Sequence, residues 1–594
     1  MDKRTSMAIV IMLGLTIVWS IVSKKDTPTA AETGTIDDAI ETVLQQTEVQ
    51  QTNEAAENTI KPGLDFEPTL NNTGPHGFIA GSGSPVVIET PLYKVTIDPA
   101  GATVSSWIGK EFKGANGDSN VELVPGFAPK EGDQIKFENG TLSLAQAGFV
   151  TSSPSKVVII NKQQVRFEAE TNSGIVIGKT FTFNPDSYDY DVTYDVNRST
   201  PDVNSELSIQ LGEPVSAVIG WYRGIESTEE AVKTMAARSM HSFRSFAMVG
   251  QELAFRKRKD LDNGNTDAFG TWRGSVRFAG VQNKYFMSTV FIPNSLTEVS
   301  EGIIKLGGDF EANQQSFSVE LPLRENHPAS ISFYHGPSKF NILTQYNCSL
   351  EKAVNLGWKW VQPISTLMLH VMNWIHKYIP NYGWVIVVIS ILSKLVFFPL
   401  TSKGTKSMKK MQESQARLKP KMDALKKKCG SDSKRYNQEM MLLYKEEGVN
   451  PMAGMAGCLP MLIQMPVFIA LYQVLYNMVD LRFTPFVGWI SDLSQPDALF
   501  ALPFTLPLIG SNFNLLPILM ALATFYQTKL TPQTGAQGGQ MAAMQNIMPI
   551  MMLFFLYNMP SGLVIYWTIN TVMTALQTWW VGRKPSAPEG VATT

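Results

Sequence analysis

Cysteine is scarce in this chain of 594 residues, which contains only Cys348, Cys429 and Cys458. Three widely separated thiols are too few for a disulfide framework or for a metal site built from paired ligands. The six histidines form no HExxH pair, which disfavours a zinc hydrolase. We therefore expect no structural disulfide and no metal site.

Charged residues are also scarce in long stretches of the second half. A chain of this length exceeds what one hydrophobic core organises, so we expect at least two domains. Five apolar stretches approach the roughly 20 residues that a membrane-spanning helix needs. They lie at approximately 383–401, 457–479, 512–530, 544–558 and 562–581. We assign residues 381–402 to the first of these helices and residues 456–581 to the other four.

A further apolar run, from Met7 to Val22, follows Lys3 and Arg4. It is either a cleaved signal peptide or an anchor that stays in the membrane. We favour an anchor at residues 1–25, because Lys24 and Lys25 separate the run from the first alanines suited to cleavage. With this anchor, the prediction is a polytopic bundle of six transmembrane helices.

Large apolar side chains are rare in residues 26–84, which predicts a flexible linker. From there to residue 345 the hydrophobic period changes to two, as in Tyr188 to Asn197, where aromatic or valine residues alternate with polar ones. Short segments of this kind, separated by turn residues, predict an all-β sandwich over 85–345. The peptide Gly174 to Thr180 looks like a phosphate-binding loop but has one residue too few between its glycines, so we expect no nucleotide site there.

Residues 350–380 carry an apolar stripe at helical spacing, which favours an amphipathic helix lying on the outer membrane surface. A core helix of the β domain, broken at Pro363, is the alternative. The apolar segment 499–509 is too short and too rich in proline to span, so we predict a re-entrant or interfacial segment.

The orientation follows from the loop at 403–450. Between Lys403 and Glu447 it carries thirteen Lys and Arg against six Asp and Glu, and short basic loops stay in the cytoplasm. This predicts cytoplasmic N- and C-termini, a short cytoplasmic tail at 582–594, and the β domain on the opposite side.

Lys394 is the most informative residue, because it lies inside a span rather than at its end. An unpaired cation there costs about 2.5–3.5 kcal/mol on insertion scales, so it must face protein or water. No Asp or Glu in the other spans offers a partner, which favours a wet groove. Other spans contribute polar residues that could line it, although hydrogen bonding within a packed bundle explains any one of them equally well. The candidates are Ser390, Ser393, Gln464, Gln473, Thr524, Gln527, Thr568, Asn570 and Thr571.

The basic loop contains an apolar seam at alternating spacings of three and four, which predicts a helical hairpin. The seam comprises Met408, Met411, Gln415, Leu418, Met422 and Leu425. A solvated cytoplasmic face explains the positive charge of the loop but not its apolar seam. A docking site for a partner, or a mobile lid, would explain both the charge and the seam.

Five segments resemble the YidC/Oxa/Alb family of membrane insertases, Gram-negative type. They are residues 390–401, 437–445, 449–451, 458–468 and 560–567. The likeness covers about residues 350–581, and the β segment resembles the family's periplasmic domain more weakly. The last motif adds Tyr566 and Trp567 to the predicted groove.

The resemblance implies a five-helix insertase core in the bacterial inner membrane, with a hydrophilic groove open to cytoplasm and lipid but closed outside, plus a galactose-mutarotase-like periplasmic sandwich. It implies insertion and folding of nascent inner-membrane proteins, alone or beside the Sec translocon, without enzymatic activity and without a cofactor. Some family members dock the ribosome through a long basic tail, which the short tail here does not support, so the hairpin is the candidate for ribosome contact. The family's groove charge is usually arginine. Lys394 keeps that charge but lacks the planar five-donor fork.

Two other functions are considered. A secondary transporter also keeps a charge at mid-membrane, but we find no repeated halves. An enzyme on the β domain would act on sugar with His241, His327 or His335 as base.

Overall fold

The computed structural model describes residues 69–583, apart from gaps at 71–76, 80, 82, 116, 127–130, 146, 199–210, 229–242, 258–269, 293–301, 310–313, 325–327, 431, 448–458, 507–509 and 531–537. The anchor predicted at 1–25 lies outside these residues. The chain forms two compact units, one reaching Gly336 and including Tyr346–Cys348, the other holding Pro337–Gln345 and the chain from Ser349.

The first unit is built of strands. They are β1 (Thr69–Leu70), β2 (Val86–Glu89), β3 (Tyr93–Asp98), β4 (Thr103–Lys113), β5 (Asn120–Glu122), β6 (Gln134–Phe137), β7 (Gly140–Ser143), β8 (Lys156–Val158), β9 (Gln163–Glu170), β10 (Ile175–Phe183), β11 (Asp189–Arg198), β12 (Pro214–Trp221), β13 (Arg244–Val249), β14 (Glu252–Lys257), β15 (Thr271–Gly274), β16 (Val276–Gln282), β17 (Phe286–Phe291), β18 (Gly302–Asp309), β19 (Gln314–Pro322) and β20 (Ala329–Pro337).

Two large sheets face each other. One has the order β1-β7-β6-β12-β19-β18-β15 and the other β14-β13-β16-β17-β20-β11-β10-β9; a smaller sheet is β5-β4-β3-β2-β8. Strands β13, β16 and β17 contact β12, β18 and β19 across the interface. In β11 the residues alternate between buried and half-buried, as the sequence period of two predicts. β1 pairs with β7, so the segment 26–84, predicted to be flexible throughout, is ordered at Thr69–Leu70.

A buried ion pair links the sheets. The ammonium of Lys179 on β10 lies 2.8 Å from the carboxylate of Asp133, and both side chains are almost fully buried. Asp133 also accepts hydrogen bonds from the Tyr194 hydroxyl and the Gly220 amide. Lys179 is therefore a buried strand residue bound to a carboxylate, and the peptide that looks like a phosphate-binding loop is part of β10.

The second unit is mainly helical. After a turn of helix at Phe340–Leu343 and 3₁₀ turns at Thr344–Tyr346 and Leu350–Ala353 come α1 (Gln362–His376), α2 (Tyr382–Cys429), α3 (Ser433–Glu446), α4 (Leu459–Asn477), a 3₁₀ turn at Val479–Leu481, β21 (Phe500–Leu506), β22 (Gly510–Phe513), α5 (Leu515–Leu530), α6 (Gly538–Leu556) and α7 (Ser561–Arg583).

The structure refines three of the sequence-based expectations. Within 350–380, the amphipathic helix corresponds to α1, whose first turn contains Pro363, a position that suits proline because its missing N–H has no helical partner there. The span at 381–402 and the first arm of the hairpin are one helix, α2. Within the segment 499–509, Phe500–Leu506 form β21, which pairs with β22; its predicted re-entrant or interfacial location stays a prediction.

One helix segment in the described residues, Tyr382–Pro399, is both long and apolar enough to cross a membrane; Leu515–Leu530 and Ile547–Leu556 are apolar but shorter. The count of six transmembrane helices therefore remains a prediction.

The tightly packed core of this unit lies towards one end of the bundle. It combines the first turns of α2, α5 and α7 with the last turns of α1, α4 and α6, as seen for Ile386, Leu475 and Leu563. We call this end the sealed end.

We predict that Asp133→Ala destabilises the β unit by about 3–5 kcal/mol, because it leaves the Lys179 ammonium buried without its carboxylate. Urea unfolding of a fragment spanning 77–348 measures this. Lys156→Ala is the control, since Lys156 pairs with Glu89 at the surface and should cost less than about 1 kcal/mol. Equal effects of the two substitutions would contradict the role of the buried pair.

Candidate functional site

Helix α7 lies at the centre of the bundle, since it contacts α2, α4 and α5. Its apolar first turns belong to the sealed end. Beyond them a polar stripe runs along the helix, and its members are buried although they are polar. The stripe comprises Tyr566, Asn570, Thr571, Gln577 and Thr578. Such a stripe must face protein or water, because hydrocarbon offers polar groups no partners.

Tyr566 is the hub of a polar cluster. Its hydroxyl accepts a hydrogen bond of 2.6 Å from the Gln464 side-chain amide on α4. Ser393 on α2 and Asn570 on α7 also lie close to this hydroxyl. Three helices therefore meet near the Tyr566 hydroxyl, at the inner edge of the packed core to which Tyr566 itself belongs.

Most side chains of this cluster bond to the backbone of their own helix, and one acceptor has no described partner. The hydroxyls of Ser390 and Ser393 donate to carbonyls of their own helix at 2.6 and 2.8 Å. The Asn570 amide donates to the Tyr566 carbonyl, while its Oδ1 is buried without a hydrogen-bond partner in the described part of the chain. A buried acceptor left open is costly, so the cluster has capacity for one further donor such as water.

Lys394 follows Ser393 on α2 and is half-buried. It lies twelve residues beyond Tyr382, which is roughly 18 Å along the helix at about 1.5 Å per residue. Among the residues that the structure describes, no carboxylate forms an ion pair with it, and α2 has no Asp or Glu before Glu413. Along α2 the cation therefore lies at the depth of Ser393, with no carboxylate partner among the described residues.

The other predicted groove residues make different contacts. Thr524 is buried, and its hydroxyl bonds to the Met520 carbonyl of its own helix, as Thr568 does with Val564. Trp567 packs edge-on against Phe468 at 4.8 Å. Gln527 is half-buried on α5. None of these is bonded to the Tyr566 hydroxyl.

Gln473 lies elsewhere. Its side chain packs beside Gly357, in the segment before α1, and it is nine residues from Gln464, roughly 13 Å along α4. Its position near the end of α4 brings it to the sealed end rather than to the polar cluster.

A second polar cluster was missed by sequence reasoning. The Gln577 amide on α7 donates to the Thr401 hydroxyl at 2.8 Å and the Ser402 hydroxyl at 3.0 Å on α2. The signal was present in the spacing: Thr401 follows Lys394 by seven residues and Gln577 follows Asn570 by seven, two helical turns that preserve the face. The polar faces of α2 and α7 therefore continue together away from the sealed end.

The sealed end is closed by the loop between α4 and β21. The amides of Ser561 and Gly562, in the first turn of α7, donate to the carbonyls of Gln495 and Leu493. The Asp497 carboxylate accepts from the Trp489 indole and from the Leu516 amide of α5, at 2.8 and 2.7 Å. These bonds satisfy helix N-termini that would otherwise need water.

The basic hairpin is formed by the second half of α2 and by α3. Leu418 and Met422 are buried against Met440 and Tyr444, and Leu425 packs partly against them. The side chains of Met408, Met411 and Gln415 lie outside the described part of the chain. Met441 and Leu442 are exposed on α3, so the hairpin presents apolar surface besides its charge.

In the described part of the β unit, His335 is not available as the predicted base. His241 and His327 lie outside the described residues. Both ring nitrogens of His335 are bonded, one to the Tyr190 hydroxyl and one to the Ser288 hydroxyl at 2.9 Å each. Its burial lowers its pKa to about 3, so it is neutral and inaccessible.

A cavity beside this region is lined by Asp133, Lys179, Trp221 and Arg223 among others, and holds about 40 Å³. Ligand pockets for small molecules are typically about 300–1,000 Å³. The cavity accommodates a water molecule or two and is too small for a sugar.

Taken together, the features define a class: a membrane protein with a folded β-sandwich domain and a helical bundle that is apolar at one end and polar inside the other half. Two family models match the chain, "60Kd inner membrane protein" over residues 374–587 and "YidC periplasmic domain" over residues 85–369.

The curated relatives agree with these matches. The membrane protein insertase YidC of Chlorobium phaeovibrioides is 32% identical, with 84% of this chain and 83% of the relative covered. That of Chloroherpeton thalassium is 28% identical over 98% of this chain and 96% of the relative. The chain belongs to the YidC family. It is an inner-membrane family, and the β unit is its periplasmic domain; family membership also agrees with the expectation that the chain is not an enzyme.

Solved structures with similar folds are more distant. A crystal structure of an active YidC insertase is 19% identical, covers 85% of this chain and 94% of its own, and has a TM-score of 0.35. A galactose mutarotase related enzyme from Lactobacillus acidophilus is 10% identical, with 42% and 97% covered and a TM-score of 0.26. Neither score carries an argument.

We predict that the β unit loses stability as pH falls from 7 to 5. His335 is neutral in the folded state, with its pKa at about 3, but binds a proton near pH 6.5 when unfolded. Protons therefore favour the unfolded chain below pH 6.5, by about 2 kcal/mol at pH 5. Urea unfolding at several pH values measures this.

His335→Gln should lower stability at pH 7 yet flatten the slope between pH 7 and 5. Glu89 does not contribute to this slope. Its hydrogen bonds to Lys156 and Lys110 lower its pKa to about 2, so the stability that it contributes changes with pH only below about pH 4.5. An unchanged slope in the His335 variant would contradict the assignment.

Proposed function

We propose that this chain inserts and folds inner-membrane proteins through a groove formed by α2, α4, α5 and α7. The names of its relatives support the activity, and one observation carries the groove: the bundle is packed and capped at the sealed end, whereas its polar clusters begin where that packing ends and continue away from it. A groove of this kind accepts a hydrophilic segment from one side only.

The orientation supports the same proposal. The basic hairpin formed by α2 and α3 extends α2 away from the sealed end, and basic loops stay in the cytoplasm. We therefore place the sealed end at the periplasmic side and the Gln577 cluster at the cytoplasmic side. Six transmembrane helices, with both termini in the cytoplasm, complete this topology.

The mechanism follows from solvation. A client with a polar tail must carry that tail through hydrocarbon, where each unpaired polar group costs several kcal/mol. The Gln577 and Tyr566 clusters offer hydrogen bonds at two successive depths, so the tail crosses only the remaining part of the membrane without partners. The client's apolar helix enters lipid and drives the transfer, and no nucleotide is needed.

Lys394 adds a positive charge at the depth of the Tyr566 cluster, which is the deeper of the two clusters. It has no carboxylate partner in the described part of the chain, so an acidic client tail can pair with it transiently. A lysine acts as a point charge and does not require the planar geometry of arginine. We infer that the charge, rather than its shape, is what this position supplies.

The hairpin is proposed to bind a partner. Its seam between α2 and α3 accounts for its fold, whereas its exposed Met441 and Leu442 and its excess of Lys and Arg remain available. A ribosome or the Sec translocon are the partners we propose, because both would meet the chain on the cytoplasmic side during synthesis of a client.

We predict that Lys394→Arg supports insertion, that Lys394→Ala reduces it, and that Lys394→Glu abolishes it for a client with an acidic tail, because the sign of the charge is reversed. Protease protection of a short-tailed model client, after depletion of the chromosomal protein, measures insertion. Wild-type insertion on depletion would refute the proposed function; equal rescue by all variants would remove Lys394 from the mechanism.

We predict that Tyr566→Phe slows insertion of the same client about threefold to tenfold, the factor expected for loss of one hydrogen-bonding group of about 1 kcal/mol. The ring packing is kept, so the protein should still fold. Thr568→Val is the matched control, because its hydroxyl bonds only to its own helix. The same rate for both variants would show that the Tyr566 hydroxyl has no part in the groove.

A further inference from the structure

The β-hairpin of β21 and β22 exposes large apolar side chains. Phe500 and Phe504 are 52% and 57% exposed, and Leu499 is 40% exposed. Phe500 stacks on Phe513 across the hairpin, with ring centroids 4.8 Å apart, so the aromatic surface is shaped by the strand pairing. Several large exposed apolar side chains within one short hairpin indicate an interaction site.

The base of the hairpin is firmly attached to the sealed end. Asp497, just before β21, binds the Leu516 amide of α5. The Tyr557 hydroxyl, after the end of α6, donates to the Asn512 carbonyl and accepts from the Asn514 amide, both at 3.1 Å. The Leu499 amide closes the base by donating to Phe513. The hairpin is therefore held at the depth where α5 begins and α6 ends.

The composition of the segment indicates what covers it. No charged residue occurs from Ala498 to Thr528. The same uncharged surface continues along α5, where Leu519, Leu522 and Phe525 are exposed, as expected of a helix that faces lipid. The hairpin thus extends a lipid-facing surface past the end of its helix.

We propose that the hairpin is a membrane-contacting surface, with Leu499, Phe500 and Phe504 in the boundary between headgroups and acyl chains. A two-stranded ribbon leaves outward peptide groups without strand partners, so it cannot enter the hydrocarbon deeply. The boundary region satisfies those groups with water and headgroups while it buries the rings. The proposal rests on the proposed function in one respect only: the orientation given there places the hairpin in the periplasmic leaflet.

A nitroxide label tests the contact in the full-length protein in liposomes, in a chain whose three cysteines are replaced by alanine. Labels are placed by Phe504→Cys in the hairpin, by Leu522→Cys on α5 as the lipid reference, and by Ile160→Cys, 77% exposed in the β unit, as the water reference. Collision rates with oxygen, enriched in lipid, and with a water-soluble nickel complex are compared.

We expect the Phe504 label to collide with oxygen as the Leu522 label does, with nickel collisions reduced at least severalfold relative to Ile160. Nickel collisions equal to those at Ile160 would place the hairpin in water and overturn the proposal. Low collision with both reagents would also overturn it, by showing a protein partner or a second copy on this surface. Client insertion by the same liposomes, measured in parallel, reports the proposed function separately.

Discussion

The absence of hydrogen-bond partners in hydrocarbon is the constraint on which the helical unit depends. Every polar side chain on a membrane helix must find protein or water. In this chain the requirement is met differently at the two ends of one bundle: helix N-termini at the sealed end are capped by loop carbonyls and by Asp497, whereas Ser393, Gln464, Tyr566 and Asn570 are gathered inside. We propose that this asymmetry makes the groove open at one end only.

The β unit meets a related constraint in another way. Its buried Lys179 and Asp133 neutralise each other where sheets meet, and His335 stays neutral between two hydroxyls. These side chains already pair with one another or with neighbouring hydroxyls, so they have few hydrogen-bonding positions left for a ligand. The polar residues of the bundle contrast with them, since Lys394 has no described countercharge and Asn570 keeps an open acceptor. We therefore propose that the polar half of the bundle, rather than the sandwich, carries the activity.

Much of this organisation is readable from the sequence, because it depends on periodicity. The alternation in Tyr188 to Asn197 predicts β11, and spacings of three and four predict the seam of Leu418, Met422 and Leu425. Lys394 stands out because charge inside a span is costly. Other features depend on tertiary contacts that no local pattern contains. Gln464 and Gln473 look equivalent in sequence, yet only Gln464 reaches Tyr566. The pairing of Gln577 with Thr401 joins residues 176 apart, and the β-hairpin at Phe500 arises from pairing that its prolines conceal.

The central claim is that the polar half of the bundle is open to the cytoplasm and the sealed end is closed, and cysteine accessibility tests it most directly. Single cysteines are introduced into a chain that lacks its native cysteines, by Ser393→Cys, Gln577→Cys or Ile389→Cys. Each variant is treated with a membrane-impermeant maleimide added on one side of the membrane or the other. If the polar half of the bundle opens to the cytoplasm, Ser393→Cys and Gln577→Cys react from the cytoplasmic side only, and Ile389→Cys reacts from neither side. Labelling of Ser393→Cys from the periplasm, or of none of the three from the cytoplasm, would contradict it.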